Sequence, residues 1–150
     1  MNSIQEGQKA PDFTLPDSQG KQISLHDFAG KQNVVLIMYP GDDTAGCTKQ
    51  LCAVRDNFAD FEKYNAVVLG INHADAESHN KFIAKYGLKN PLLIDAGRKV
   101  IKEYDALGNL FGNETTKRSV IIIDKAGMIT KIWRGDPGHE QIKKELEKLN

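Results

Sequence analysis

Two thiols are all that the 150 residues contain, Cys47 and Cys52, and they are not spaced as C-x-x-C. Net charge is missing too: Lys+Arg and Asp+Glu both number 20, which removes the reason to expect nucleic acid or another polyanion as a partner. The longest apolar run, VVLIMY from Val34 to Tyr39, is far too short to span a membrane, so no membrane association is expected. The first twenty residues hold no basic segment followed by an apolar stretch, so no secretory signal is expected. A cytoplasmic location is the expectation, unless an organellar transit peptide has been removed. There is no internal repeat, low-complexity tract or linker. The sequence therefore reads as a single domain over residues 1–150, long enough to bury about 68–70% of the surface its unfolded chain exposes. In a reducing compartment a permanent structural disulfide is disfavoured, and two cysteines point to redox or catalytic work, or to simple burial.

What is present alternates in period. DFTLPDSQGKQISL, Asp12 to Leu25, switches between apolar and polar residues around a turn-rich centre and predicts an N-terminal hairpin. NVVLIMY (Asn33 to Tyr39) and AVVLGIN (Ala66 to Asn72) are continuous apolar runs, as expected of strands buried on both faces. Between them Cys47, Leu51, Val54, Phe58 and Phe61 recur at helical spacing, which predicts one amphipathic helix ending near Tyr64. His79, Phe82, Ile83 and Tyr86 form a second stripe stopped by Gly87. PLLID (Pro91 to Asp95) reads as a short strand and RKVIKEYDAL (Arg98 to Leu107) as a brief helix. RSVIIID and MITKIWR flank KAG, a hairpin signal. Asp136 as cap and Pro137 at the first helical position then open a last helix, docked through Ile142, Leu146 and Leu149. The order predicts an α/β fold with a mixed sheet and helices on both faces, compatible with a thioredoxin-like arrangement among others.

Both thiols fall in YPGDDTAGCTKQLC, where a strand hands over to a helix. The pair admits four readings: a structural disulfide, a metal clip, inert core residues, or a working redox pair. Structural zinc wants four ligands, commonly from closely spaced Cys or His pairs. His26, His73, His79 and His139 are scattered and share no such spacing with the cysteines; they read as surface or capping residues. Asp42 and Asp43 read as solvated loop acids with no role. Cys47 follows Gly46 at the start of the helix, where unpaired N–H groups and the positive end of the dipole stabilise a thiolate. Pro40, Thr44 and Cys47 have the spacing P-x3-T-x2-C. A proline can exclude water, a hydroxyl can orient an oxygen substrate, and sulfur can attack it.

On PGDDTAGCTKQLCAVRD, with APDFTLPDSQGK before it and SHNKFIAKYGLKNPLLID and RSVIIID after it, the sequence resembles the peroxiredoxins, and within them the bacterioferritin-comigratory or Q-type subfamily. The resemblance implies a thioredoxin-like fold with a mixed central sheet flanked by helices and an N-terminal β-hairpin extension. It implies a peroxidase acting on hydrogen peroxide and organic hydroperoxides, in which Cys47 becomes a sulfenic acid. Cys52 is then the resolving cysteine, forming an intramolecular disulfide that a thioredoxin or glutaredoxin-like reductant reopens. Thr44 resembles the hydroxyl that orients the peroxide, Pro40 the shield of the pocket, and Arg118 the arginine that stabilises the thiolate. No metal or organic cofactor is implied, and a monomer is expected. Ala45 and Gly41 stand where the subfamily usually has proline and lysine, and Asn90 and Ile94 where it usually has an aromatic residue and a serine. A second reading from another class keeps the same thiols as a redox-responsive switch that acts on a binding partner.

The spacing of the cysteines carries its own expectation. Five residues along one continuous helix rise ~7.5 Å and turn the second residue ~140° from the first, leaving the Cα atoms roughly 8.5 Å apart. A disulfide needs them within about 7 Å and facing each other. Bond and intact helix are incompatible, so oxidation is expected to unwind the first turns.

Overall fold

The computed structural model describes residues 3–149. Among the described residues nine strands and five helices follow one another: β1 (Thr14–Pro16), β2 (Gln22–Ser24), β3 (Asn33–Met38), α1 (Ala45–Asp56), α2 (Phe58–Lys63), β4 (Ala66–Asn72), α3 (Ala76–Tyr86), β5 (Leu92–Ile94), α4 (Lys99–Glu103), β6 (Leu107–Leu110), β7 (Asn113–Thr116), β8 (Ser119–Ile123), β9 (Ile129–Arg134) and α5 (His139–Lys148). A 3-10 turn spans Leu25–Phe28.

The central sheet has five strands in the order β5-β4-β3-β8-β9. β3 pairs parallel with β4, and β4 with β5, while β3 and β8, then β8 and β9, pair antiparallel. The mixed sheet expected from the element order is therefore present. β3 shows why its sequence is an unbroken apolar run. Val34, Leu36 and Met38 point into one core cluster, and Val35 and Ile37, followed by Tyr39, point into the other. Alternate residues of a strand face opposite sides, so a strand covered on both sides is apolar along its length, and the one polar residue of β3, Asn33, stands at its end.

The first cluster lies under the N-terminal hairpin and α4, through Phe13, Leu15, Ile23, Leu25, Val100 and Ile101. The hairpin is the expected one: β1 and β2 pair antiparallel, and the Asp17 carboxylate accepts the N–H groups of Gln19 and Lys21 to close the turn. The second cluster lies under α1, α2, α3 and α5, through Leu51, Val54, Phe61, Phe82, Ile142 and Leu146. Helix α3 begins on Asp75, whose carboxylate accepts the Ser78 N–H at 2.9 Å, and ends at Gly87 with a left-handed φ of 62°. Glycine adopts that conformation without steric cost.

Three boundaries differ from expectation. The stripe from Cys47 to Phe61 is two helices, because Asn57 ends α1: its side chain donates to the Ala53 carbonyl at 2.8 Å, competing with helix continuation. The brief helix predicted to Leu107 stops at Glu103, and residues 107–116 form a β6–β7 hairpin that hydrophobic periodicity does not announce. Helix α5 opens at His139 after Gly138, and Asp136 instead accepts the Gly138 N–H at 3.0 Å in the turn before it.

Candidate active site

Strand β3 delivers the chain to one edge of the sheet, and residues 39–44 turn it into α1. Thr44 holds the N-cap position with extended backbone (φ −88°, ψ 155°), and its carbonyl accepts the Thr48 N–H at 2.8 Å. The Thr44 hydroxyl donates to the Gly41 carbonyl at a long 3.4 Å, which leaves it available for an incoming oxygen. Cys47 is the third residue of the helix and is fully buried, while Pro40 and Thr44 beside it are exposed.

Arg118 reaches this sulfur from the other end of the chain. It sits between β7 and β8, and since Ser119 pairs with Met38 in the sheet, the β8 register places it beside the end of β3. Its Nη2 donates to Cys47 Sγ at 3.1 Å, and its Nη1 donates to Gln50 Oε1 at 2.7 Å. Gly46 makes room for it: a Cβ there would lie 3.1 Å from Arg118 Nη2. A guanidinium held on two sides offers a fixed positive charge at a thiol in the first helical turn. Cys47, Thr44, Arg118 and Pro40 are thus gathered at one end of β3.

Gln50 was missed. It is 3% exposed and sits one turn beyond Cys47 on the same helix face, where its amide oxygen orients the guanidinium. The i+3 spacing from Cys47 was the available signal, but only the approach of Arg118 across 68 residues gives it meaning.

Cys52 is half-buried against the second core cluster, and both cysteines are free thiols within the one helix α1. They are not in contact as disulfide partners.

Two expectations near the site are corrected. Asp42 is not a solvated loop acid: its side chain is 5% exposed and that of His79 is 0% exposed, with His79 Nδ1 at 2.6 Å from Asp42 Oδ2. His79 is accordingly a buried residue rather than a surface or capping one. Burial pushes the Asp42 carboxyl up, but hydrogen bonds from His79, Ser78 and Tyr39 outweigh it and hold the group below its ordinary 3.8. Burial, with Asp42 close by, pushes the Tyr39 phenol well above its ordinary value, so that it stays a donor. His139 also departs from a plain surface role, stacking edge-on against Phe61 and bonding Asp60 at 2.8 Å. Among the described residues, no three His, Cys, Asp or Glu side chains converge as a metal ion requires.

The sequence model of the AhpC/TSA family matches residues 6–132. The chain is 45% identical over 130 residues to a chloroplastic peroxiredoxin Q of Triticum aestivum, covering 87% of this chain and 59% of that protein. It is 46% identical over 130 residues to the chloroplastic peroxiredoxin Q of Arabidopsis thaliana, again with 87% and 59% covered. The chain therefore spans about three fifths of the length of these curated relatives. Among solved structures it is similar to the peroxidoxin BcpB of Mycobacterium tuberculosis, with a TM-score of 0.90, 26% identity, and 98% of this chain and 99% of that one covered. A PrxQ mutant of Xylella fastidiosa superposes with a TM-score of 0.90 at 27% identity, covering 99% and 98%. The bacterioferritin comigratory protein of Xanthomonas campestris gives 0.83 at 26% identity, covering 91% and 90%. These likenesses establish the thioredoxin-like peroxiredoxin fold.

Proposed function

The chain belongs to the AhpC/TSA family, and from that premise we propose that it is a thiol peroxidase that reduces hydrogen peroxide and organic hydroperoxides. The observation that carries the reading is the 3.1 Å hydrogen bond from Arg118 to the buried Cys47 sulfur in the first turn of α1. Support comes also from the peroxiredoxin Q relatives, and from the alkyl peroxide reduction activity named for the Xanthomonas campestris protein.

In this reading the Cys47 thiolate attacks one peroxide oxygen while the O–O bond breaks. The departing oxygen takes a proton and leaves as water or an alcohol, and Cys47 becomes a sulfenic acid. The cation of Arg118 stabilises first the thiolate and then the charge developing on the oxygens, with Gln50 holding the guanidinium in place. The Thr44 hydroxyl orients the peroxide, and Pro40 shields it from water. Because the sulfur is fully covered, the approach of a peroxide requires a small local movement of the loop. Cys52 then attacks the sulfenic sulfur, expels water and forms the intramolecular disulfide. An external dithiol of the thioredoxin type reopens it by exchange.

Turnover tests the reading. Supplied with thioredoxin and its reductase, the protein should consume many equivalents of hydrogen peroxide and of a bulky organic hydroperoxide. Consumption of about one equivalent would identify a redox switch instead.

A further inference from the structure

The loop between β3 and α1 carries two carboxylates, and both are tied to α3. Asp42 turns inward. Its Oδ1 accepts from the Tyr39 hydroxyl at 2.8 Å and from Asn72 Nδ2 at 3.2 Å; its Oδ2 accepts from Ser78 Oγ at 2.6 Å and faces His79 Nδ1 at 2.6 Å. The far nitrogen of His79 faces the Leu93 carbonyl at 3.0 Å, which joins β5 to the same cluster. Asp43, at a left-handed φ of 56°, accepts from Lys85 Nζ at 2.8 Å and the Tyr86 hydroxyl at 2.6 Å.

A carboxylate withdrawn from water is costly unless its oxygens are filled by donors. Asp42 has four. None of them belongs to Cys47, Thr44 or Arg118, so the cluster performs no chemistry on the peroxide. Its place in the chain gives it a purpose. Asp42 lies two residues after Pro40 and two before Thr44, so fixing its carboxylate fixes the backbone that presents both. Gly41, the intervening residue, has no side chain to help and the widest conformational freedom of any residue. Anchoring must come from Asp42 and, at the rim, from Asp43.

We infer that Asp42 is a positioning residue for peroxide reduction: through Tyr39, Asn72, Ser78 and His79 it holds the loop so that Thr44 and the α1 N-terminus align a peroxide with Cys47. The inference rests on the peroxidase reading above. Asp42 acts only through the loop and touches neither sulfur nor substrate. Misplacing reacting atoms by about 1 Å is enough to slow a reaction by as much as roughly a hundredfold.

The test compares two reactions of the same thiol in the full-length chain carrying Cys52→Ser, with and without Asp42→Asn or Ser78→Ala. Oxidation by hydrogen peroxide needs an aligned O–O bond; alkylation by iodoacetamide needs the thiolate but no such alignment. Asp42→Asn should lower the second-order oxidation rate by about tenfold to a hundredfold while leaving alkylation unchanged. Ser78→Ala, which removes one donor from a half-buried position and spares the carboxylate, should do the same by about fivefold. Unchanged oxidation in a folded Asp42→Asn protein would overturn the inference, and so would an equal loss in both reactions, which marks a general loss of structure. Should Asp42→Asn fail to fold, the split between the two reactions in Ser78→Ala decides in the same way. The parent protein reports separately on the peroxidase reading, since inertness to peroxide in a chain that is readily alkylated defeats that reading before Asp42 is tested.

Discussion

Cys47 and Cys52 lie in one unbroken helix, Ala45–Asp56, and the geometry of that helix separates their Cα atoms by roughly 8.5 Å. A disulfide between them requires the helix to open. Amide exchange across residues 44–55 should therefore be slow in the reduced protein and fast in the disulfide form of the same sample. Arg55 ties the far end of α1 to the Tyr86 carbonyl at the end of α3, and Asp43 ties the near side to the same residue. The increase should be confined between these anchors. Equal protection in both states, with the disulfide confirmed by mass, would defeat the idea.

The two thiols should separate cleanly by mutation. Cys47→Ser is expected to abolish peroxide reduction, because of the two thiols Cys47 is the one that Arg118 contacts. Cys52→Ser should permit one oxidation event and stall as a sulfenic acid or mixed disulfide, detectable as an added mass after a single equivalent of peroxide. Equal loss of the first step in both variants would reverse the assigned roles.

Arg118→Ala should slow the first oxidation. A charge-assisted hydrogen bond of ~1.5–3 kcal/mol, if fully made in the transition state, corresponds to about a tenfold to hundredfold change. Stopped-flow oxidation of the reduced protein measures it, and an unchanged rate would remove Arg118 from the site.

Gly46→Ala offers a milder perturbation of the same contact. Its new Cβ would stand 3.1 Å from Arg118 Nη2 and displace the guanidinium by a few tenths of an ångström. In a helix alanine is favoured over glycine by up to about 1 kcal/mol. The variant should melt no lower than the parent yet oxidise more slowly. Faster oxidation would show that the close approach of Gly46 to Arg118 is incidental.

Acid should weaken the fold partly through Asp42. Its carboxyl titrates below the ordinary 3.8 in the folded chain, with burial opposing the shift and the bonds from His79, Ser78 and Tyr39 producing it. A group depressed in this way stabilises fully above its unfolded value, and that contribution is lost as pH falls through the folded value. Melting temperature should drop as pH falls below 3.8, and the drop should be shallower in Asp42→Asn. Parallel curves for the two proteins would show that Asp42 does not contribute to the acid limb.

The motif residues were legible because their chemistry is local. P-x3-T-x2-C lies within eight consecutive residues, and a strand followed by a turn and a helix places them together whatever the rest of the chain does. The long strands were equally plain, since both faces of β3 and β4 are covered and polar residues are confined to their ends, at Asn33 and Asn72. Arg118 came from family resemblance; no spacing in the sequence links it to Cys47.

What only the tertiary structure decided is how distant polar groups satisfy one another. Asp42 beside Asp43 in a glycine-containing loop looks solvated, and His79 on a helix stripe looks incidental. The parallel β3–β4 pairing and the docking of α3 bring Asn72, Ser78 and His79 against one carboxylate, and their hydrogen bonds make its burial tolerable. The Gln50 amide gains its role in the same way, when β8 carries Arg118 to it. The β6–β7 hairpin was hidden because its strands hold Asn, Glu, Thr and Gly with little apolar alternation, and their pairing to each other rather than to the central sheet leaves no buried face to pattern the sequence. Hydrophobic periodicity records which face of an element is covered, whereas a buried polar contact depends on what the fold brings opposite it.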